Sequence, residues 1–202
     1  METKLLLLKL LKDLIPYIDG PYFLGDGGLL GIVREKDLLE HDNDLDLYLL
    51  PGTKIRIPDD SPLKYQKWYL CSKVYNSLYE KEKVNSWKEY LSFRRSTDCK
   101  GMNRCELMLE SSRDYYNEKL TASFTKPHLD IFYLIKNQDV YICPIWSKII
   151  TNLHFKISEI FPIRKNNDLG FQVLVPNKPE NILKRQYGND CLTVVKKDFK
   201  WT

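Results

Sequence analysis

The hydrophobic and polar positions along the chain predict a mixture of helices and short strands. Near the N-terminus, leucines recur at helical spacing over 5–11, and Lys9 interrupts the apolar run. This pattern predicts an amphipathic first helix that is capped by Thr3 and ends near Pro16. The run has no small-residue cleavage site and is far shorter than the roughly 20 apolar residues that span a bilayer. We therefore expect neither a signal peptide nor a transmembrane segment.

Further along, short runs with a period of two alternate with runs at helical spacing. The predicted elements are a strand over 22–24, a helix over 29–35, a strand over 45–50, a helix over 63–83, a hairpin of strands over 129–135 and 140–142, an extended segment over 155–161, a strand over 171–175 and a helix over 179–187. Strands and helices are therefore mixed along the chain.

The strand over 45–50 carries acidic residues at alternate positions. Because side chains of a strand alternate between its faces, Asp44 and Asp46 point to one face and the intervening leucines to the other. Carboxylates gathered on one face repel one another unless a cation lies between them. Mg²⁺ and Mn²⁺ prefer such oxygen ligands and often bring a phosphate. Asp42 shares this face, and it is either a further ligand or a partner for a lysine.

Two further groups of residues fit a metal and phosphate site. Gly27 and Gly28 lack Cβ atoms, so their backbone N–H groups can approach a phosphate closely, although the turn alone could require them. Arg34 is either a bidentate partner for phosphates or an exposed helix cation. On the predicted strand over 129–135, Asp130 can complete the set of carboxylates. Its neighbour His128 shares this face, and we interpret it as an ordinary half-buried histidine rather than a catalytic base.

Three motifs in order carry a resemblance to a known family. The stretch GDGGLLGIVREKDLLEHDNDLDLYL near the N-terminus, HLDIFYL in the centre and FPIRKNNDLGFQVLVPNKPENILKRQYGND near the C-terminus resemble the signature blocks of the LicD/fukutin family. The chain departs from the family pattern at Leu29, His41 and Asn43. The resemblance implies an α+β, nucleotidyltransferase-like fold in which helices flank a mixed β-sheet.

The resemblance also implies an activity and a set of site residues. Members of the family transfer a phosphorylated alcohol, such as phosphocholine or ribitol phosphate, from a CDP-activated donor to a glycan hydroxyl and release CMP. For this chain, the implied metal ligands and catalytic residues are Asp44, Asp46 and Asp130, with Mg²⁺ or Mn²⁺ as the cofactor. The implied donor-binding residues are Gly27, Gly28, Arg34, Arg164 and Tyr187.

Two other functions remain open on the sequence alone. A nucleotidyltransferase of the same fold would leave the nucleotide on a sugar phosphate, an RNA or a protein and release pyrophosphate. A non-catalytic module would bind a glycan or a nucleotide through a degenerate site. The joint presence of Asp44, Asp46 and Asp130 argues against degeneracy.

The length and net charge of the chain bear on its domain organisation and on its binding partners. At 202 residues, the chain is expected to form a single domain over 1–202, with 86–126 as a variable insertion that is a candidate for acceptor recognition. The net charge is +4, yet residues 25–50 hold seven acidic residues against two basic ones. An acidic site within a basic surround suits a metal and an anionic donor. We do not expect this surround to bind nucleic acid.

The number and spacing of the cysteines indicate the redox state of the compartment in which the protein is expected to work. The five of them (Cys71, Cys99, Cys105, Cys143 and Cys191) are an odd number and include no C-x-x-C pair. This favours reduced thiols rather than a disulfide framework or a zinc ribbon. We therefore expect a cytoplasmic protein.

Overall fold

The structure is a computed structural model that describes the backbone of residues 2–56, 64–68, 70–72, 79–80, 105–107, 117–121, 127–143 and 154–193, and side chains in 3–56, 127–143 and 154–193. The helices in these ranges are α1 (Glu2–Leu14), α2 (Asp26–Glu35), α3 (Ile157–Ile160) and α4 (Pro179–Tyr187), and a 3₁₀ turn (Ile15–Tyr17) follows α1. None of the helices in the described part of the chain has the length and apolar character needed to cross a membrane.

Fifteen short strands are described. In chain order they are β1 (Ile18–Asp19), β2 (Tyr22–Leu24), β3 (Asp44–Leu49), β4 (Lys54–Ile55), β5 (Lys64–Trp68), β6 (Leu70–Ser72), β7 (Tyr79–Glu80), β8 (Cys105–Leu107), β9 (Asn117–Thr121), β10 (His128–Tyr133), β11 (Ile135–Asn137), β12 (Val140–Ile142), β13 (His154–Lys156), β14 (Arg164–Asn166) and β15 (Val173–Val175). Together with the helices, they confirm the predicted mixture of α and β structure.

The main sheet has five strands in the order β2-β3-β10-β9-β5. Its central pair, β3 and β10, runs parallel, whereas β2 is antiparallel to β3 and β9 is antiparallel to β10. In the parallel pair, Asp44 lies opposite His128 and Asp46 lies opposite Asp130. This register brings two acidic segments that are far apart in the sequence onto neighbouring strands. The other sheets are β1-β4, β14-β15, β11-β12-β13 and β7-β6-β8.

The two faces of the central strands differ in composition. Leu45, Leu47 and Leu49 alternate onto one face, where they join a core cluster with leucines of α1 and α2. On the other face of β3, Asp44 and Asp46 are followed by Tyr48. Tyr48 packs in a second cluster with Phe132 and other apolar residues. One face of the sheet therefore changes along its length from carboxylates to a buried aromatic core.

The first helix has the predicted amphipathic character. Leu7, Leu11 and Leu14 are fully buried, whereas Leu5 is 63% exposed. The helix begins at Glu2, so Thr3 lies inside it and is not the residue that precedes it. The predicted cap was wrong, because the helical backbone already includes the residue that would have supplied it.

Three other predicted elements were wrong. The segment predicted as a helix over 63–83 contains strands β5, β6 and β7. The spacing of its apolar residues is compatible with a helix and with a strand. The backbone pairing of β5 with β9 at the edge of the main sheet stabilises the strand. The strand over 140–142 was predicted to pair with 129–135, but it pairs with β11, and β10 pairs with β3 and β9 instead. The extended segment over 155–161 turns into helix α3 after β13.

The proposed insertion over 86–126 is described only in its two strand segments. β9 belongs to the main sheet beside β10, and β8 pairs with β6. The rest of 86–126 lies outside the described residues, so the division of the domain stays a prediction.

Candidate metal centre

Three potential metal ligands meet at the start of the parallel strand pair. One ligand atom from each of Asp44, His128 and Asp130 lies within 4.8 Å of the other two. The Nε2 atom of His128 is 3.5 Å from Oδ2 of Asp130 and 4.0 Å from Oδ2 of Asp44. His128 and Asp130 share a face because they are two apart on β10, and the register places Asp44 beside them. The backbone pairing of the sheet thus fixes the positions of all three residues.

Asp46 and Asp42 extend this cluster. Burial, followed by the carboxylates of Asp26 and Asp130, raises the pKa of Asp46 well above its usual range. Burial and the neighbouring carboxylate of Asp44 raise the pKa of Asp42 to about 7. The Oδ2 atom of Asp42 is buried and accepts no hydrogen bond in the described part of the chain. Burial and repulsion among these described carboxylates therefore disfavour their charged forms.

Asp26 connects the cluster to two other elements. It is the first residue of α2, its φ angle is +42°, and its side chain is buried. Tyr48 donates to Oδ2 of Asp26 from β3, and Nε2 of Gln186 donates to Oδ1 from α4 at 3.1 Å. Burial raises the pKa of Asp26 to about 6, even though the hydrogen bond from Tyr48 lowers it. A positive φ at a residue other than glycine is strained, and these two hydrogen bonds hold Asp26 in that conformation.

The glycine pair lies in the first turn of α2, which begins at Asp26 instead of after the glycines. A Cβ atom on Gly27 would overlap Oδ2 of Asp42, and one on Gly28 would lie 2.8 Å from Cδ2 of Leu45. A side chain at position 28 would therefore require Leu45 to move, and one at position 27 would displace the carboxylate of Asp42. Of the two glycines, Gly27 is the one that faces the acidic cluster. A role in phosphate binding stays a prediction for both.

The remaining predicted site residues are spread more widely. Tyr187, at the end of α4, is close enough to Asp26 and Asp46 that burial and then these carboxylates raise the pKa of its phenol. Arg34 is in the last turn of α2, where its Nη1 atom donates to the carbonyl of Cys191 at 3.2 Å and its Nε atom to Glu35. Arg164 is exposed on β14, and its Nε atom is 3.4 Å from the carbonyl of Pro176. The structure thus brings Tyr187 to the cluster, whereas Arg34 is engaged with other partners.

A buried ion pair anchors the helix that supplies Gln186 and Tyr187. The guanidinium of Arg185 donates to both carboxylate oxygens of Glu159, at 3.0 and 2.8 Å, and also to the carbonyl of His154. Burial would raise the pKa of Glu159, but the hydrogen bonds and charge of Arg185, together with the backbone N–H and charge of Lys156, lower the pKa below its usual value. This pair fixes α4 to α3 immediately before the two residues that approach the acidic cluster.

A family model described as LicD/FKTN/FKRP, nucleotidyltransferase domain, matches residues 20–178, which is more than half of the chain. The chain belongs to the LicD/FKTN/FKRP family. The matched segment includes the glycine pair, all the carboxylates of the cluster and His128, and it ends just before α4. The predicted LicD/fukutin resemblance is confirmed. No curated protein matches the chain.

Membership of the LicD/FKTN/FKRP family indicates a transferase with a phosphotransferase-like role in glycan modification. The donor set of the cluster fits a divalent ion, because two carboxylates and an imidazole converge within a few ångströms. Asp44, Asp130 and His128 could hold such an ion directly, and Asp46 lies beside them. The predicted ligand set had Asp46 in this group and took His128 as an ordinary residue.

Sequence patterns did not identify every residue that lies at the cluster. His128 shares a strand face with Asp130, as predicted, but the sequence did not indicate it as a candidate metal ligand. Asp26 stood directly before the glycines but was counted only as charge. The roles of Gln186 and Glu159 depend on contacts between distant segments, and no local pattern signals them.

Proposed function

We propose that this protein is a metal-dependent phosphotransferase of nucleotidyltransferase-like fold, which moves a phosphorylated alcohol from a CDP-activated donor to a glycan hydroxyl. In this reaction the acceptor oxygen bonds to the phosphorus nearer the alcohol, the bond from that phosphorus to the bridging oxygen breaks, and CMP leaves. The observation that carries the proposal is the convergence of Asp44, Asp130 and His128 beside Asp46 in a chain of this family.

The residues of the site divide into three tasks. Asp44, Asp46 and Asp130 supply the charge that holds Mg²⁺ or Mn²⁺, which when bound neutralises the diphosphate and lowers the pKa of the acceptor hydroxyl. Asp130 is also the candidate acceptor of the hydroxyl proton, because it lies at the edge of the cluster and is partly exposed. The first turn of α2, with Gly27 and Gly28, offers backbone N–H groups to a donor phosphate.

The C-terminal helix supports the nucleotide end of the site. Tyr187 approaches the acidic cluster, and the ion pair between Arg185 and Glu159 holds it there. Tyr187 is therefore a candidate wall for the nucleotide of the donor. Arg164, which is exposed on β14, is a candidate partner for the donor phosphates.

The test is release of CMP. The full chain is incubated with Mn²⁺ or Mg²⁺, a panel of CDP-activated alcohols and a mixture of glycans, and CMP is quantified by chromatography. We expect release by the wild type and a loss of at least about 100-fold in Asp44→Asn and in Asp130→Asn. Glu180→Gln, which removes one exposed charge from the first turn of α4, is the matched control and should retain activity. Equal CMP release by the wild type and both site variants would refute the proposal.

A second reaction is favoured by the description of the matched domain as a nucleotidyltransferase domain. In that case the donor would be a nucleoside triphosphate, its nucleotide would remain on the acceptor and pyrophosphate would leave. Separate assays with a CDP-activated alcohol and with a nucleoside triphosphate, each labelled at the phosphorus next to the nucleoside, distinguish the two reactions. The label appears in free CMP for the phosphotransferase and on the acceptor for the nucleotidyltransferase.

A further inference from the structure

The position of His128 gives the candidate centre a nitrogen donor. Its side chain is 10% exposed, and its Nε2 atom points between two carboxylates, 3.5 Å from Asp130 and 4.0 Å from Asp44. In the described part of the chain, neither lysine nor arginine forms an ion pair with Asp44.

The spacing of these atoms matches that of ligands on one ion. Two ligands that are each about 2.1 to 2.2 Å from a six-coordinate metal lie about 3 Å apart when adjacent and about 4.3 Å apart when opposite. The two separations of Nε2, 3.5 and 4.0 Å, fall between these limits. All three ligand atoms lie within 4.8 Å of one another, so adjustment of the side chains on the backbone register of β3 and β10 would let a single ion contact all three residues.

The chemistry of this donor set is selective. Mg²⁺ and Ca²⁺ are bound by oxygen atoms, whereas imidazole is a good ligand for first-row transition metals. Building on the proposed function, we propose that His128 is a direct ligand through Nε2, and that the centre selects Mn²⁺ over Mg²⁺. A histidine that only pairs with Asp44 and Asp130 as a cation would instead be displaced or repelled when an ion binds.

The test uses the full chain with Mn²⁺ and reads the metal rather than the reaction. Pulsed electron paramagnetic resonance of bound Mn²⁺ detects a directly coordinated nitrogen as a hyperfine coupling. We expect this coupling in the wild type and its loss in His128→Gln, whose amide can replace the imidazole as an oxygen donor. His41→Gln removes an exposed histidine one residue from Asp42 and should keep the coupling.

Affinity supplies a second readout, by titration calorimetry and by competition of Mg²⁺ with bound Mn²⁺. The wild type should bind Mn²⁺ at least about tenfold more tightly than Mg²⁺, and His128→Gln should reduce this preference to about threefold or less. Circular dichroism verifies that the variant is folded.

The outcomes separate this inference from the proposed function. If Mn²⁺ binds without nitrogen coupling, or if the coupling persists in His128→Gln, the role of His128 is refuted while the phosphotransferase proposal stands. If neither ion binds the wild type and CMP is not released, the proposed function fails as well. Binding with equal affinity for both ions would refute the selectivity.

Discussion

The hydroxyl of Tyr48 donates a hydrogen bond of 2.6 Å to Oδ2 of Asp26. Both side chains are buried, Tyr48 in the aromatic core and Asp26 at the start of α2. The bond joins the acidic strand β3 to the helix that carries the glycine pair. Because Gln186 binds the other oxygen of Asp26, α4 is tied to the same point.

The first prediction concerns Tyr48→Phe. Loss of this hydrogen bond should lower the free energy of unfolding by about 1 to 3 kcal/mol at pH 8, since it leaves a buried carboxylate with one partner fewer. The bond lowers the pKa of Asp26, so its removal raises that pKa further above about 6. The loss should therefore be smaller at pH 5, where Asp26 is protonated in the folded protein. Urea denaturation at both pH values measures this difference.

Tyr141→Phe is the control for this measurement. Tyr141 is half-buried on β12 and has a ring contact with Phe161. Its substitution should change stability little and equally at both pH values. A loss in Tyr48→Phe that does not vary with pH would contradict the assigned role of the phenol.

The second prediction concerns the ion pair between Glu159 and Arg185. Glu159→Gln should destabilise the fold by about 3 kcal/mol at pH 7, because it leaves the largely buried Arg185 without its counter-charge. The folded pKa of Glu159 is below its ordinary value of 4.5, so the carboxylate contributes stability above pH 4.5 and loses it as the pH falls through the folded pKa. The difference between wild type and variant should shrink in that range. Chemical denaturation between pH 3 and 7 tests it, with Glu180→Gln as the control in the same helix.

The third prediction separates stability from metal binding at Asp46. Burial and then repulsion from neighbouring carboxylates raise its pKa, so its charge opposes folding of the metal-free protein at neutral pH. Asp46→Asn should therefore raise the melting temperature in the presence of a chelator at pH 8. The same variant should lose most of the increase in melting temperature that Mn²⁺ gives the wild type. If Asp46→Asn lowers the melting temperature in the chelator and responds to Mn²⁺ normally, Asp46 is a structural residue.

The fourth prediction compares two glycines at the start of α2. In Gly27→Ala the new methyl group would displace the carboxylate of Asp42, so we expect metal affinity to fall about tenfold with a change in stability below about 1 kcal/mol. In Gly25→Ala the methyl group would overlap the buried ring of Tyr48, so the main effect should be a lower free energy of unfolding. Titration with Mn²⁺ and urea denaturation of both variants measure the two effects. Equal loss of stability in the two would contradict this division of roles.

The sequence was sufficient to predict the elements that carry strong local patterns. The alternation of acids and leucines in β3 and the proline and glycine that bound α4 predicted these elements within a residue or so. The convergence of the strand at 128–133 with the acidic strand followed from the family resemblance. In the structure, β3 and β10 pair in parallel, and their register places Asp46 opposite Asp130.

Other features depend on contacts that no local pattern encodes. The segment at 63–83 has apolar residues at helical spacing, yet pairing with β9 draws its start into the sheet. Arg34 looked free on its helix, but its guanidinium meets the carbonyl of Cys191 from the far end of the chain. The partners of Asp26 likewise come from β3 and α4, so its importance emerges only in the folded protein.

The central position of β10 has a consequence for how the active protein comes into being. Its neighbours on the two sides, β3 and β9, come from earlier parts of the chain, so β10 completes the middle of the sheet. A nascent chain that ends before β10 lacks His128 and Asp130, so the carboxylates of β3 cannot form the cluster. Under the proposed metal-dependent function, acquisition of the ion would therefore follow synthesis of β10 and would be a late event in the maturation of this protein.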